Sequence, residues 1–321
     1  MREEVKISGY VSLFLALFVG GAIVVGDIEG TFTVTVLLNG LQAAGVLVLL
    51  ALGLTLIFGM AGVINFAHGA LFLIGAYTTW VVTDMGVGYL PAVLVALVTT
   101  GLFGFFVEVI GLRRLYEKDI LLQVLYTFGI AVGIQGLMLF LIGPSPRSVE
   151  QPPWGSGFVN LGVVEYPTFR LLIILVTVLL LVGVWLALYR TNIGLIIRAG
   201  TRDAEMVRVL GIDIQQMYTL VFVFGSVLAG LAGALAIPVQ SVTPLSGNDV
   251  VIDSFVVVVI GGMGSILGTV LGGLSVAQIQ TFSGFIPILR TYADPAIFLF
   301  MALVLLIRPR GLLGTIGLFE E

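Results

Sequence analysis

The chain has 321 residues, 59% of them hydrophobic and only 10% charged, with a net charge of −4 and a mean hydropathy of +1.18. A water-soluble surface needs about 25–35% charged residues, so a cytosolic enzyme, a soluble binding module and a disordered tail are all excluded. The sequence has no cysteine and hence no disulfide or thiol chemistry, and it offers no basic stripe for nucleic acid.

Windows of about 20 apolar residues, the length that crosses a bilayer, predict an all-α polytopic membrane protein forming one transmembrane domain over 1–321. The spans fall near 8–26, 34–57, 60–83, 89–111, 120–142, 170–189, 217–240, 250–263, 265–284 and 291–307, about ten in all. The 42 glycines suit close packing between such helices. Before the second span, Val24-Val25-Gly26 loosely resembles a signal cleavage site. The preceding apolar run is longer than the roughly 7–15 residues of a signal core, which favours an uncleaved first helix. Over 250–284 the apolar stretch is interrupted by Gly261-Gly262-Met263-Gly264-Ser265. A tight helical hairpin is one reading, and a tilted span plus a half-helix is the other.

Basic residues set the orientation. Arg2 and Lys6, Arg113, Arg114 and Lys118, Arg190, Arg198, Arg202 and Arg208, and Arg308 and Arg310 all fall on one side if there are ten spans. That arrangement predicts both termini in the cytoplasm. Residues 143–169 then form the longest external loop and 190–216 the longest cytoplasmic one. Within the latter, Asp203 to Leu210 has an acidic start and apolar residues at Met206, Val209 and Leu210, which predicts a short amphipathic helix.

Catalytic signatures are missing. The only histidine is His68, and no H-E-x-x-H, G-x-S-x-G or P-loop motif occurs, so neither a metal nor a cofactor is called for. Buried charges that mark proton-coupled transport are also scarce. Glu108 lies inside an apolar run but close enough to Arg113 and Arg114 to pair with them. Uphill transport would therefore need energy from a partner ATPase pushing on a cytoplasmic loop, and 190–216 is the one large enough to serve as a handle.

The most informative stretch is Gly53–Tyr77, in which Asn65 and His68 sit among apolar residues punctuated by Gly59, Gly62, Gly69 and Gly75. An unpartnered amide in hydrocarbon costs about 2–7 kcal/mol, so these groups either line a wet pathway at a broken helix or bond neighbouring helices. Gln42, Gln123, Gln135, Gln278 and Gln280 pose the same choice. Residues 58–69 and 260–273 faintly echo each other, each placing a glycine–methionine cluster before a helix. In the second of these, Gly261, Gly262 and Gly264 suit a gate hinge or close helix packing.

With its GVINFAHG core, Gly53–Tyr77 resembles the permease subunits of branched-chain amino-acid ABC importers, to which urea and short-amide permeases are related. VVVVIGGMGSILGTVLGG (256–273), the T-x-x-G-x-x-x-R-A run from Thr191 to Ala199, and RPRGLLG (308–314) match the same family in order. The resemblance implies an importer-permease bundle working by alternating access. Its partners would be a second, homologous permease, two cytoplasmic ATPases and an extracytoplasmic binding protein. It also implies a coupling helix in 190–216, involving Arg198, Asp203, Glu205, Arg208 and Gly211. Glu205 and Gly211 have the spacing of the importer E-A-A-x-x-x-G docking loop, with Met206 and Val207 replacing its alanines. Asn65, His68, Gln42 and Gln278 become candidate pathway residues, and Gly59, Gly62, Gly69, Gly261, Gly262 and Gly264 candidate hinges. A stand-alone channel or carrier is the competing expectation.

Overall fold

The computed structural model describes residues 30–201, 203–286 and 289–314. The expected first span at 8–26, the signal-like 24–26, and Arg2, Lys6 and Arg202 lie outside these residues.

Eleven α-helices make up most of the described chain. They are α1 (Gly30–Ala61), α2 (His68–Asp84), α3 (Tyr89–Ile110), α4 (Ile120–Ile142), α5 (Thr168–Arg190), α6 (Asn192–Gly200), α7 (Ala204–Val209), α8 (Ile214–Ala236), α9 (Ser246–Gly261), α10 (Ile266–Phe285) and α11 (Ala293–Ile307). Between α4 and α5, β1 (Phe158–Asn160) and β2 (Glu165–Pro167) form an antiparallel hairpin.

Seven of the helical stretches are long and apolar enough to cross a bilayer: α1, α3, α4, α5, α8, α10 and α11 with the turn before it. Leucine, phenylalanine and valine cover the outer faces, with Leu94, Phe140, Leu125 and Leu179 all more than half exposed. Water would not tolerate such a surface and lipid does. The chain is a multi-pass membrane protein.

Two helices form the axis of the bundle. Helix α1 packs against α5, α8, α9 and α10, while α8 packs against α1, α2 and α3. Their central windows are 78% and 67% buried, whereas that of α4 is only 6% buried, so α4 stands almost free at the edge. Lipid-embedded helices gain little from the hydrophobic effect and associate by close packing, and here glycine makes the closeness possible. A Cβ at Gly75 would land on the Gly230 carbonyl oxygen, one at Gly233 on that of Phe72, and one at Gly53 2.6 Å from that of Gly225. Backbone thus lies directly on backbone along the α2–α8 and α1–α8 seams.

The pair across 250–284 is the hairpin. Helix α9 ends at Gly261 and α10 starts at Ile266, and the two pack on each other. Gly262 makes the reversal at φ +98, a region open to glycine and costly for other residues. A Cβ on it would also strike the Gly314 and Arg310 backbone, because 308–314 folds beneath. There the Leu312 and Leu313 amides donate to the carbonyls of Ile260 and Gly261 at 2.8 and 2.9 Å, satisfying the end of α9.

The two ends of the bundle differ. One gathers Arg113, Arg198, Arg208 and both helix breaks. At the other, Arg147 pairs its backbone with Val242 and lays its guanidinium over the Trp80 ring at 4.6 Å. Tyr89 at that end donates to the Ala234 carbonyl at 2.9 Å. The predicted external loop at 143–169 is therefore tied down and carries the β-hairpin, which hydropathy does not reveal.

Candidate functional site

Three features converge at the arginine-bearing end. The first is the interruption between α1 and α2. Gly62 ends α1 at φ +65 with nothing among the described residues near its missing side chain, so the turn itself requires glycine. Residues 63–67 then run without regular structure before α2 begins at His68. The break is pinned from α4, where Thr127 Oγ1 accepts the Phe66 amide at 3.2 Å and also lies 3.3 Å from the Ile64 carbonyl.

Asn65 and His68 have no exposed surface. His68 Nε2 lies 2.8 Å from the Leu50 carbonyl oxygen. A carbonyl only accepts, so Nε2 carries the proton and Nδ1 is a bare lone pair. Among the described residues Nδ1 has no partner, and neither does either atom of the Asn65 amide. Both residues thus sit inside the helix packing rather than on an accessible wall.

The second feature is the meeting of the two glycine–methionine segments. A Cβ on Gly59 would come 3.1 Å from Gly264 Cα, so the breaks at 62–67 and 262–265 lie side by side. Gly69 lies under the Gly247 carbonyl and Gly261 against Gly268. Of the six expected hinge glycines, Gly59, Gly69 and Gly261 occupy tight backbone crossings, Gly62 and Gly264 occupy turns, and Gly262 does both.

The third feature is an arm built from α6 and α7. Thr191 caps α6 by accepting the Gly194 amide at 3.1 Å, and Asp203 caps α7 by accepting the Met206 amide at 2.8 Å. Gly211 follows α7 in left-handed backbone, at φ +83. The expected amphipathic helix is therefore present, with Glu205, Met206, Arg208, Val209 and Leu210 exposed. Its inward residue is Val207, 3% exposed and packed with Met60, Ile214 and Val221. Met60 stands two residues before Gly62 and also lies close to Gly200 of α6, so the arm lies beside the break. Arg208 pairs with Glu117 at 4.0 Å, both well exposed, and such a contact contributes little. Arg198 turns inward, donating to the Leu188 carbonyl and covering the Tyr189 ring. It braces the arm on α5 instead of presenting its charge outward.

Beside the arm is a buried polar cluster. Glu108, fully buried, accepts from Thr219 at 2.7 Å and from Tyr116 at 3.2 Å, and pairs with Arg113 at 3.4 Å. Burial and the neighbouring carboxylate push the Tyr116 phenol far above the ordinary tyrosine range, so it stays protonated and donates. The expected Glu108–Arg113 pairing is present, and it also joins α3 to α8.

Gln278 bonds the Leu37 carbonyl at 3.1 Å and covers Gly40, joining α10 to α1 far from both breaks. Gln42 is buried on the same stretch of α1. The structure does not bring either glutamine to Asn65 and His68.

A family model described as "branched-chain amino acid transport system / permease component" matches residues 36–308. The chain belongs to this family. It is 30% identical over 293 residues to the high-affinity branched-chain amino acid transport system permease protein BraD of Pseudomonas aeruginosa, covering 87% of this chain and 94% of the relative. It is 28% identical to LivH of Escherichia coli, a permease protein of the same description, with 86% and 94% covered. LivM of the same organism is 26% identical over 83% of this chain and 67% of its own length. No solved structure matches.

Proposed function

We propose that this chain is the permease subunit of an ATP-driven importer for branched-chain or related neutral amino acids. It would work beside a second, homologous permease, two cytoplasmic ATPases and an extracytoplasmic binding protein. The observation that carries the coupling part is the arm, whose capped helix α7 exposes Met206 and Val209, with Leu210 just past its end, while its buried Val207 shares an apolar cluster with Met60 near the Gly62 break. A short lever with an apolar outer face suits a groove on a motor subunit. Two distinct permease proteins of one organism among the relatives, LivH and LivM, support a homologous pair.

Ten crossings follow if α2, α9 and the 8–26 segment join the seven long helices. The arginine-bearing end then faces the cytoplasm by the positive-inside rule, with both termini on that side. Asn65 and His68 would act as the pivot of the break, and the glycine crossings as its bearings. Arg198 would hold the arm to α5, while Asp203, Glu205, Arg208 and Gly211 shape the docking surface.

The test is reconstitution in liposomes. The full assembly should accumulate leucine only with internal ATP and external binding protein, and this chain alone should build no gradient. Leucine accumulation by the isolated chain, insensitive to ATP, would overturn the reading in favour of a secondary carrier. Accumulation of urea or short amides but not leucine would overturn the cargo assignment alone.

A further inference from the structure

Helices α4 and α9 run antiparallel along the open edge of the bundle, and the residues they turn to that edge are ordered by chemistry. Toward the Arg147 end, Asn248 Nδ2 donates to Gln135 Oε1 at 3.4 Å. Among the described residues neither amide makes a second hydrogen bond, and Asn248 is exposed. Seven residues along each helix, about 10 Å at 1.5 Å per residue, stand Phe128 and Phe255. Between them lies Phe66 from the α1–α2 break, its ring 6.2 Å from Phe128 and edge-on, and 5.1 Å from Phe255. Phe128 is 52% exposed and the other two are half-buried. Three aromatic rings from three separate segments therefore form one layer, with a carboxamide pair two helical turns away on the same edge.

Two further facts distinguish this edge from an ordinary lipid-facing one. A lipid-facing surface has no use for a pair of carboxamides with vacant donors and acceptors, since each carries a desolvation cost. The aromatic layer is also not free to float. Phe66 is the residue whose amide is held by Thr127 of α4, one position before Phe128. Moving Phe66 relative to Phe128 therefore means giving up that bond, and the break lies beside the apolar cluster that Met60 shares with Val207 of the arm.

We propose that this edge is the chain's wall of the translocation path, with Gln135 and Asn248 forming a polar landing site and Phe66, Phe128 and Phe255 a movable aromatic constriction. The substrate class is a zwitterion with an apolar side chain. The amide oxygens accept from its ammonium, the amide nitrogens donate to its carboxylate, and the rings take the side chain. The inference rests on the importer reading and replaces Gln42 and Gln278 as pathway residues. It also moves the wall from Asn65 and His68 to Phe66, which lies between them.

This chain has no cysteine, so each introduced thiol is its only one, and the assembly without an introduced cysteine gives the background from the other subunits. Gln135→Cys, Asn248→Cys and Phe128→Cys, with Leu94→Cys on α3 and Leu179→Cys on α5 as lipid-side references, are made singly in the assembled importer in proteoliposomes. Each is treated with a membrane-impermeant methanethiosulfonate. The three edge positions should react at least tenfold faster than the references, and their modification should cut ATP-driven leucine uptake at least fivefold. Reaction at reference rates would show the edge sealed by lipid or by protein and would overturn the proposal, as would full labelling with uptake unchanged. The two readings fail separately. Intact leucine uptake with shielded cysteines removes only the pathway assignment, whereas reactive cysteines in an assembly that never accumulates leucine remove the importer reading.

Discussion

The arm makes a prediction that separates its two faces. Val207 is buried against Met60, Ile214 and Val221, while Val209 and Leu210 are 76% and 72% exposed. Val207→Ala deletes buried carbon worth about 0.8 kcal/mol per methylene, plus a cavity term, or about 1.5–2.5 kcal/mol of permease stability. Val209→Ala with Leu210→Ala should leave the isolated permease within about 0.5 kcal/mol per site. If an ATPase groove covers these two side chains, each contributes about 1–2 kcal/mol to docking. The double variant should then bind its ATPase at least tenfold more weakly, at 1.4 kcal/mol per decade. Thermal unfolding of the detergent-purified permease reads the first effect, and ATPase binding by interferometry reads the second. Val207→Ala should melt earlier and still bind; the exposed pair should melt normally and bind poorly. Binding of the double variant within twofold of the unsubstituted protein would refute the assignment of the outer face to docking.

Three other outcomes are expected. Glu108→Gln removes the charge that accepts from Thr219 and faces Arg113, and should cost about 1.5–3 kcal/mol, the worth of hydrogen bonds to a charged group; Arg113 is partly exposed and can still reach water, which keeps the loss below that of a fully buried orphan. Gly233→Ala places a methyl on the Phe72 carbonyl and should cost about 1–3 kcal/mol of thermal stability, whereas Gly129→Ala on the open side of α4 meets nothing within 4 Å and should gain about 0.5–1 kcal/mol in the isolated permease from helix propensity alone. Gly62→Ala has open space around it, so its cost of about 1–2 kcal/mol is purely the left-handed backbone, and Gly62→Asn should recover part of that melting temperature.

Hydropathy made the spans legible because a bilayer imposes a length on an apolar run. It did so least well where the chain breaks inside the run. The expected spans 34–57 and 60–83 leave a gap at 58–59, yet α1 continues to Ala61 and the break occupies 62–67. Asn65 apart, those residues are as apolar as their neighbours, and α2 starts with Ala67 as its cap and no side-chain hydrogen bond to announce it. Where a polar cap exists the boundary was readable, as with Asp203 before α7. Two further cap signals stand in the sequence. Thr191 three residues before Gly194 marks the start of α6, and Asp213, accepting the Gln215 and Gln216 amides, sets α8 to begin at Ile214 instead of 217. The candidate site was half legible. Asn65 and His68 stood out by polarity, but Phe66, Phe128 and Phe255 carry no signal in a chain with 21 phenylalanines. Only tertiary placement shows them to share one edge.

The side-by-side placement of the two breaks has a mechanical consequence. A continuous helix resists bending along its whole ladder of hydrogen bonds, whereas a segment such as 62–67 concentrates the compliance in a few residues. Gly59 touching Gly264 couples that compliance to the α9–α10 turn, and the 308–314 segment bonded under Ile260 and Gly261 stiffens the turn from the other side. Packed side chains pass displacement on because they do not compress. A shift of α7 is therefore passed into the apolar cluster that Val207 shares with Met60, Ile214 and Val221, and α6 passes its own through Gly200, which lies close to Met60. The Glu108 cluster limits the alternative route by tying α3 to α8 with charge-assisted bonds. The break has compliance, a stiff neighbour and an apolar cluster that both α6 and α7 enter, which is what a lever needs if force at one end of the bundle is to move Phe66 against Phe128.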